Sequence, residues 1–347
     1  MQQLTPILSI RDVSRRFGKV AALNAVSLDI DAAEIVCLVG HSGCGKSTLL
    51  RVIAGIEDID GGSVVLGGEQ VCGDGIFVEP EHRSVGLMLQ DYALFPHMTA
   101  RQNIGFGLKH LSRSEAAARV DDIIDRLGLG PLANRYPHML SGGEQQRIAL
   151  ARTLAPRPSI LLMDEPFSNL DRGLRDDIRA ETISLLRGLG TTAIIVTHDP
   201  EEALAIGDKV VLMHRGEVIE AGTGEEIYAT PHTAYAAGFF SQVNHLPSQR
   251  HGEWLETPLG RISAPALPGP ADVFVRPRAL SMGGDGVEAK ILSRKLLGEI
   301  EEWSLELAGL PRPLVMRTTA RHQAEPGAMV SIKLDPSDVI VIPKGQV

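Results

Sequence analysis

Gly40-His41-Ser42-Gly43-Cys44-Gly45-Lys46-Ser47, continued by Thr48-Leu49-Leu50, decides how this chain folds. It follows an apolar run, Ile35-Val36-Cys37-Leu38-Val39, and precedes helically patterned residues, so it reads as the loop between a buried strand and a helix. The glycines let backbone N–H groups turn inward as a nest for phosphate oxygens, and the N-terminus of the next helix adds partial positive charge. Lys46 is placed to reach the β- and γ-phosphates of a nucleotide, and the Ser47 hydroxyl to ligate Mg²⁺. His41 and Cys44 stand at positions where such a loop offers its backbone, and neither is assigned chemistry of its own.

Bulk properties narrow the setting. The 347 residues are too many for one typical core and predict two domains. The net charge of −9 lies wholly in residues 1–241, with 22 basic against 31 acidic side chains, while residues 242–347 balance at 12 and 12. A nucleic-acid or anionic-membrane surface calls for a concentrated basic face, so neither is expected as a partner. Cys37, Cys44 and Cys72 show no CxxC spacing and cannot all pair, which suits a reducing cytosol. No apolar run approaches the ~18 residues that span a bilayer, and the start carries no basic and apolar leader pattern, so the chain is expected neither to be secreted nor to insert itself.

Around the loop the pattern is α/β. Residues 7–30 alternate in short runs that predict antiparallel strands, with Phe17 in the turn between them either as a core aromatic or as a face for stacking an adenine. A Gly61-Gly62 turn with the run 63–68 predicts a hairpin, and the strand Val85-Gly86-Leu87-Met88-Leu89 ends at Gln90. The apolar loop Asp91-Tyr92-Ala93-Leu94-Phe95-Pro96-His97 either packs down as core or marks a protein-binding surface. Residues 99–140 are helical in pattern, with a capping box at Ser112 to Glu115. Leu140-Ser141-Gly142-Gly143-Glu144-Gln145 then opens a further helix, as a second anion-suited turn or simply a capped start.

Two later strands end in chemistry. Ser159 to Met163 is nearly continuously apolar and terminates in Asp164-Glu165, as parallel strands do when ligands collect at their carboxyl ends. Asp164 is placed to hold Mg²⁺, and Glu165 to polarise a water attacking the γ-phosphate. A helix from about 172 to 189 leads to the strand 192–197 and to His198, which projects into the same crevice as Lys46 and Glu165. The strands near 209–213 and 216–219 form a hairpin, followed by short helices over 224–240.

In this order the motifs resemble the nucleotide-binding subunit of ATP-binding-cassette (ABC) transporters over about residues 7–241, which implies an ATPase domain at 1–241 with a helical insert near 91–155. The resemblance identifies Gln90 as the Q-loop and a further Mg²⁺ ligand, Leu140 to Gln145 as the signature, Ser168-Asn169-Leu170-Asp171 as the D-loop, and His198 as the switch. It implies ATP contacts from Phe17 and from Gly40 through Thr48, with His41, Ser42 and Cys44 contributing backbone. Glu165, His198 and Lys46 are then the catalytic set. Asn169, where Ala is usual, and His41, where Pro is frequent, are mild departures. The family pattern also implies a head-to-tail homodimer in which Ser141, Gly142, Gly143 and Gln145 serve the partner's ATP, and a transmembrane permease contacted through about Gln90 to His97. An extracytoplasmic solute-binding protein would act only through that permease, and the subunit would sit at the cytoplasmic face of the membrane.

After a linker at 242–250, short strand-like runs near 272–277, 287–292, 313–317, 329–333 and 338–342 predict a small β-barrel over 251–347. Val275-Arg276-Pro277 is similar to a turn of the OB-like (TOBE) domains of import cassettes, which implies a regulatory or dimer-supporting role. The first half and short barrel look most like ferric-iron uptake ATPases, with polyamine, phosphonate, sulfate and sugar systems close behind. His245, His251 and His322 lack ligand spacing for an iron sensor. A soluble cassette ATPase of translation or DNA repair is the rival reading, but one cassette, a short insert and an acidic balance weigh against it.

Overall fold

The structure is a computed structural model that describes residues 5–168, 172–265 and 269–345. The contacts divide the chain into two units, the first ending at Gly224 and the second starting at Glu225. Asn169, Leu170 and Asp171 of the expected D-loop lie outside the described residues.

In the first unit, β1 (Leu8–Phe17) and β2 (Val20–Ile30) form an antiparallel hairpin, and β3 (Ile35–Val39) leads through the glycine loop into α1 (Lys46–Ala54). Next come β4 (Gly61–Leu66), β5 (Glu69–Gly73), β6 (Ile76–Phe77) and β7 (Val85–Met88). The helical insert holds α2 (Ala100–Gly105), α3 (Arg113–Arg126) and α4 (Gly142–Leu154). β8 (Ile160–Asp164), α5 (Arg172–Gly188), β9 (Ala193–Val196), α6 (Pro200–Ile206), β10 (Lys209–His214) and β11 (Glu217–Gly222) complete it.

Two sheets result, an antiparallel one ordered β2-β1-β4-β5-β6 and a largely parallel one ordered β11-β10-β3-β9-β8-β7. Every residue of β3 and β9 is buried, and so are four of five in β8. At about 1.5–3 kcal/mol per buried Val, Leu or Ile side chain, these strands hold the unit together. Gly61 and Gly62, expected as a turn, belong to β4 instead, and the chain reverses at Gly67 and Gly68. Gly62 is needed where the strands cross closely, because a Cβ there would collide with the carbonyl oxygens of Arg11 and Asp12.

Two buried charges brace this unit. Arg83, 6% exposed, donates to the Val52 and Ile53 carbonyls at the end of α1 (2.7 and 3.0 Å) and to Val71 and Val78 (3.0 and 2.8 Å). Its guanidinium therefore caps a helix and ties it to β5 at once. Glu202, 5% exposed, turns back from α6 to accept from Thr197 Oγ1 at 3.0 Å, and burial holds its carboxyl above the usual range despite that bond.

The second unit begins one residue into α7 (Gly224–Ala229), continues with α8 (Ala234–Phe240), then is all β: β12 (Asn244–Leu246), β13 (Gln249–His251), β14 (Trp254–Thr257), β15 (Gly260–Ser263), β16 (Ala271–Val275), β17 (Leu280–Leu297), β18 (Ile300–Leu307), β19 (Leu314–Thr318), β20 (Met329–Leu334) and β21 (Val339–Pro343). Three short sheets, β12-β16-β21, β13-β14-β15 and β19-β18-β17-β20, curl around one core that includes Leu246, Leu255, Val273, Trp303 and Ile332, an OB-like arrangement. Residues 242–250, expected as a linker, form β12 and β13 instead. The reason is Asn244, whose buried amide donates to Val275 and Val315 carbonyls (3.3 and 2.8 Å) and accepts from Val315 N–H (2.7 Å). The Val275-Arg276-Pro277 turn also has a physical role: Arg276, 5% exposed, lies over the Tyr228 ring at 4.0 Å and donates to the Tyr228 carbonyl.

Two stability outcomes follow. Arg83→Ala leaves buried carbonyls without their donor and is expected to cost about 2–4 kcal/mol by urea denaturation; an unchanged midpoint would mean that water replaces the guanidinium. Glu202 is a carboxyl whose folded pKa is raised, so its ionised form costs stability as pH rises through that value. Glu202→Gln is therefore expected to raise the melting temperature by about 2–4 °C at pH 8 and by less at pH 5. A gain that grows on acidification would reverse this assignment.

Candidate nucleotide site

The register of the parallel sheet brings the separate motifs to one edge. Leu38 pairs with Val196, Val196 with Asp164, and Met163 with Met88, so the residues following β3, β9, β8 and β7 emerge side by side. Those residues are the glycine loop, Thr197-His198, Glu165 and Gln90.

The loop has the conformation its glycines predict. Gly40, Gly43 and Gly45 take φ of 147°, 79° and 109°. A Cβ on Gly40 would collide with the Met213 carbonyl oxygen, and one on Gly45 with that of Ala22. Gly45 is also the N-cap of α1 and offers no side-chain cap, which leaves the first N–H groups of the helix turned to the loop. Lys46, 6% exposed, donates from Nζ to the Gly40 and His41 carbonyls at 2.6 and 3.1 Å, and Cys44 Sγ lies 3.6 Å from the same nitrogen. Cys44 is buried like Cys37 and Cys72, and all three are free thiols. The Gly216 N–H donates to the Cys44 carbonyl at 2.9 Å and fastens the loop to the turn between β10 and β11.

Beside the loop, Ser47 Oγ donates to Asp164 Oδ1 at 3.3 Å. Burial holds the Asp164 carboxyl above its usual range, against the lowering effect of that hydrogen bond. Glu165 takes φ of 47°, a strained value for a non-glycine residue, and its N–H donates to the Val196 carbonyl at 3.0 Å. Its Oε2 stands 3.1 Å from His198 Nδ1. A cavity of about 370 Å³ joins these groups, lined by Ser42, Gly43, Gly45, Lys46, Ser47, Thr48, Glu165 and His198 together with Val20 and Ala22 of β2.

The other sequence-selected residues lie around this centre. Phe17 is 46% exposed, with the Arg15 guanidinium 5.1 Å from its ring, so it is not a core aromatic; it pairs in register with Val20 of the cavity wall. Gln90 donates to Ser168 Oγ at 3.2 Å, and Ser168 Oγ donates to the Glu165 carbonyl at 2.9 Å. Gln90 thus reaches the back of Glu165 through Ser168. Ser141 caps α4 in a reciprocal box with Glu144, and Gln145 turns inward to donate to the Pro137 and Leu140 carbonyls (3.1 and 3.2 Å). None of Ser141, Gly142, Gly143 and Gln145 lines the cavity of their own chain.

The loop after β7 is part packed and part presented. Tyr92 is buried, and Arg152 donates to the Tyr92 and Ala93 carbonyls at 2.8 and 2.6 Å. Asn103, fully buried, bonds Phe95 through both its N–H and its carbonyl. Beyond them His97, Met98, Arg101, Gln102, Phe106 and Lys109 line an open groove of about 510 Å³. Sequence reading missed Val20 and Ala22, for which the two-residue spacing on β2 was an available signal. It selected Ser168 only as part of the D-loop, and the link that Ser168 makes from Gln90 to Glu165 carried no signal.

Residues 23–168 match the family model described as ABC transporter. The chain is 40% identical over 342 residues to the Fe(3+) ions import ATP-binding protein FbpC of Streptomyces avermitilis, covering 97% of this chain and 98% of that one. It is 38% identical over a 358-residue alignment to the sulfate/thiosulfate import ATP-binding protein CysA 2 of Chromobacterium violaceum, covering 98% and 96%. A solved dimeric ATP-binding cassette in a post-hydrolysis state, bound to ADP and Pi, superposes with a TM-score of 0.53 at 29% identity over 62% of this chain and 98% of that one. Relatives that span nearly all of this chain, and a phosphate loop set beside paired carboxylates at one sheet edge, lead to one conclusion: the chain belongs to the ABC transporter family, among its ATP-binding, ATP-hydrolysing subunits.

Proposed function

We propose that this subunit energises solute import as a head-to-tail homodimer at the cytoplasmic face of the cell membrane, and that the solute is Fe³⁺. The observation that supports hydrolysis here is the contact of Glu165 with His198 on the rim of the cavity that holds Lys46 and Ser47. In this reading the Glu165 carboxylate orients the attacking water and accepts its proton, while His198 holds that carboxylate in place. Lys46 neutralises charge on the β- and γ-phosphates, and the loop N–H groups from Gly40 to Thr48 cradle them. Ser47 and Asp164, one hydrogen bond apart, fit a hard cation, with Gln90 adding a ligand from the end of β7. Mg²⁺ held there would supply positive charge to offset the negative charge of the phosphates. Phe17 offers the adenine a face beside Val20.

Ser141, Gly142, Gly143 and Gln145 stand apart from their own chain's cavity, which supports their service to the ATP of the second copy. The groove beside His97 supports docking of a permease there, with an extracytoplasmic solute-binding protein acting only through it. Among the described residues no helix is long and apolar enough to cross a membrane. For the solute, the Fe(3+) import relative at 40% identity supports iron. The sulfate/thiosulfate relative, matched over a similar span, supports an oxyanion as the second reading.

Glu165→Gln is expected to lower ATP turnover by about 10²-fold or more while the protein still binds ATP and accumulates as a dimer in gel filtration. Turnover within a few-fold of the parent would remove Glu165 as the base. In cells lacking the native gene, uptake of labelled Fe³⁺ is expected to be restored by the parent chain and not by Glu165→Gln. Restored sulfate uptake without iron uptake would select the second reading, and restoration of neither would set both solutes aside.

A further inference from the structure

A second cavity, of about 460 Å³, lies in the first unit among α3, the end of α4, the start of β8 and the turn between α5 and β9. Three arginines line it, Arg119 and Arg126 of α3 and Arg157 after α4, against a single carboxylate, Asp122. That carboxylate is already engaged, since Asp122 Oδ1 accepts from Arg126 Nε at 2.9 Å. Glu115, one turn before Arg119, spends its own carboxylate on the capping box at Ser112. Among the described residues, Arg119 and Arg157 make no ion pair.

Two guanidinium charges are thus in excess within one concavity, in the half of the chain that carries the whole acidic surplus. A guanidinium presents a planar fork of donors that matches two oxygens of a carboxylate or phosphate at once. Ile123, Leu154 and Leu189 add apolar lining, and an apolar wall with a few charged groups is the usual make-up of a small-ligand site. Arg126 and Arg157 are exposed and Arg119 is half-buried, so the guanidiniums stand at the mouth of the cavity above the buried side chains of Ile123 and Leu154.

We propose that this cavity binds a small multivalent anion, an oligocarboxylate or an oligophosphate. Its lining comes from both the helical insert and the strand layer, so the bound anion ties α3 to the turn at 189–192 and makes the position of the insert responsive to a soluble metabolite.

The test uses the full chain saturated with ADP, so that the phosphate loop is already taken, and titrates citrate and pyrophosphate by calorimetry without Mg²⁺. Saturable binding of at least one anion is expected, weakened about tenfold or more in Arg157→Glu and in Arg119→Ala, with ADP affinity unchanged as the control for folding. Citrate binding alone marks a carboxylate site, and pyrophosphate binding alone a phosphate site. In the parent protein the anion is expected to slow amide exchange in α3 and at 189–192. Absence of saturable binding by both anions, equal binding in parent and variants, or exchange slowed only at the phosphate loop would overturn the proposal.

Discussion

The first unit depends on the burial of β3, β8 and β9 on both faces. A strand with apolar neighbours above and below has no place for an uncompensated charge along its length. Polar groups are therefore expelled to the strand ends, and parallel pairing puts the carboxyl ends of neighbouring strands at one edge. Lys46, Asp164, Glu165 and His198 meet there for that reason, although they are far apart in sequence. Their meeting is a property of the sheet before it is a property of any one motif.

What surrounds that edge is set by close backbone approaches. Gly45 lets the phosphate loop lie against the Ala22 carbonyl, so the antiparallel sheet supplies a wall of the cavity. Gly216 fastens the other side of the loop through Cys44. The path from the loop after β7 is equally concrete: Arg152 and Asn103 hold its backbone to the helical insert, and Gln90 touches Ser168, which touches the Glu165 carbonyl. A shift of the insert thus has a chain of hydrogen bonds by which to reach Glu165.

The phosphate loop, the carboxylates after β8 and the histidine after β9 were legible in the sequence because each follows a continuous apolar run, and a run of that kind has one reading. Gly61 and Gly62 were misleading because a glycine pair signals both a turn and a close strand crossing, and only the Arg11 and Asp12 carbonyls decide between them. In the second unit, β18 was overlooked because Glu301 occupies one of its inward positions, where its partner Arg294 makes a buried carboxylate tolerable. The same holds for residues 242–250, whose polar composition reads as a linker until Asn244 is seen to bond two strands. In each case the signal was cancelled by a partner on another strand.

The Ser141 hydroxyl carries a consequence for which side chains its position tolerates. Its oxygen accepts from the Glu144 N–H at 3.3 Å, and its proton is turned to the Glu144 carboxylate, which also accepts the Ser141 backbone N–H at 2.8 Å. Because the hydroxyl rotates, one atom can cap α4 and still turn its proton to an oxygen that approaches from outside the chain. Aspartate caps a helix as well as serine does, but it would bring a negative charge and no proton to the exposed start of α4. Alanine would bring neither cap nor donor. Of the side chains that start helices well, serine, threonine and asparagine can cap and also donate, so the vocabulary of this position is shorter than helix capping alone would allow.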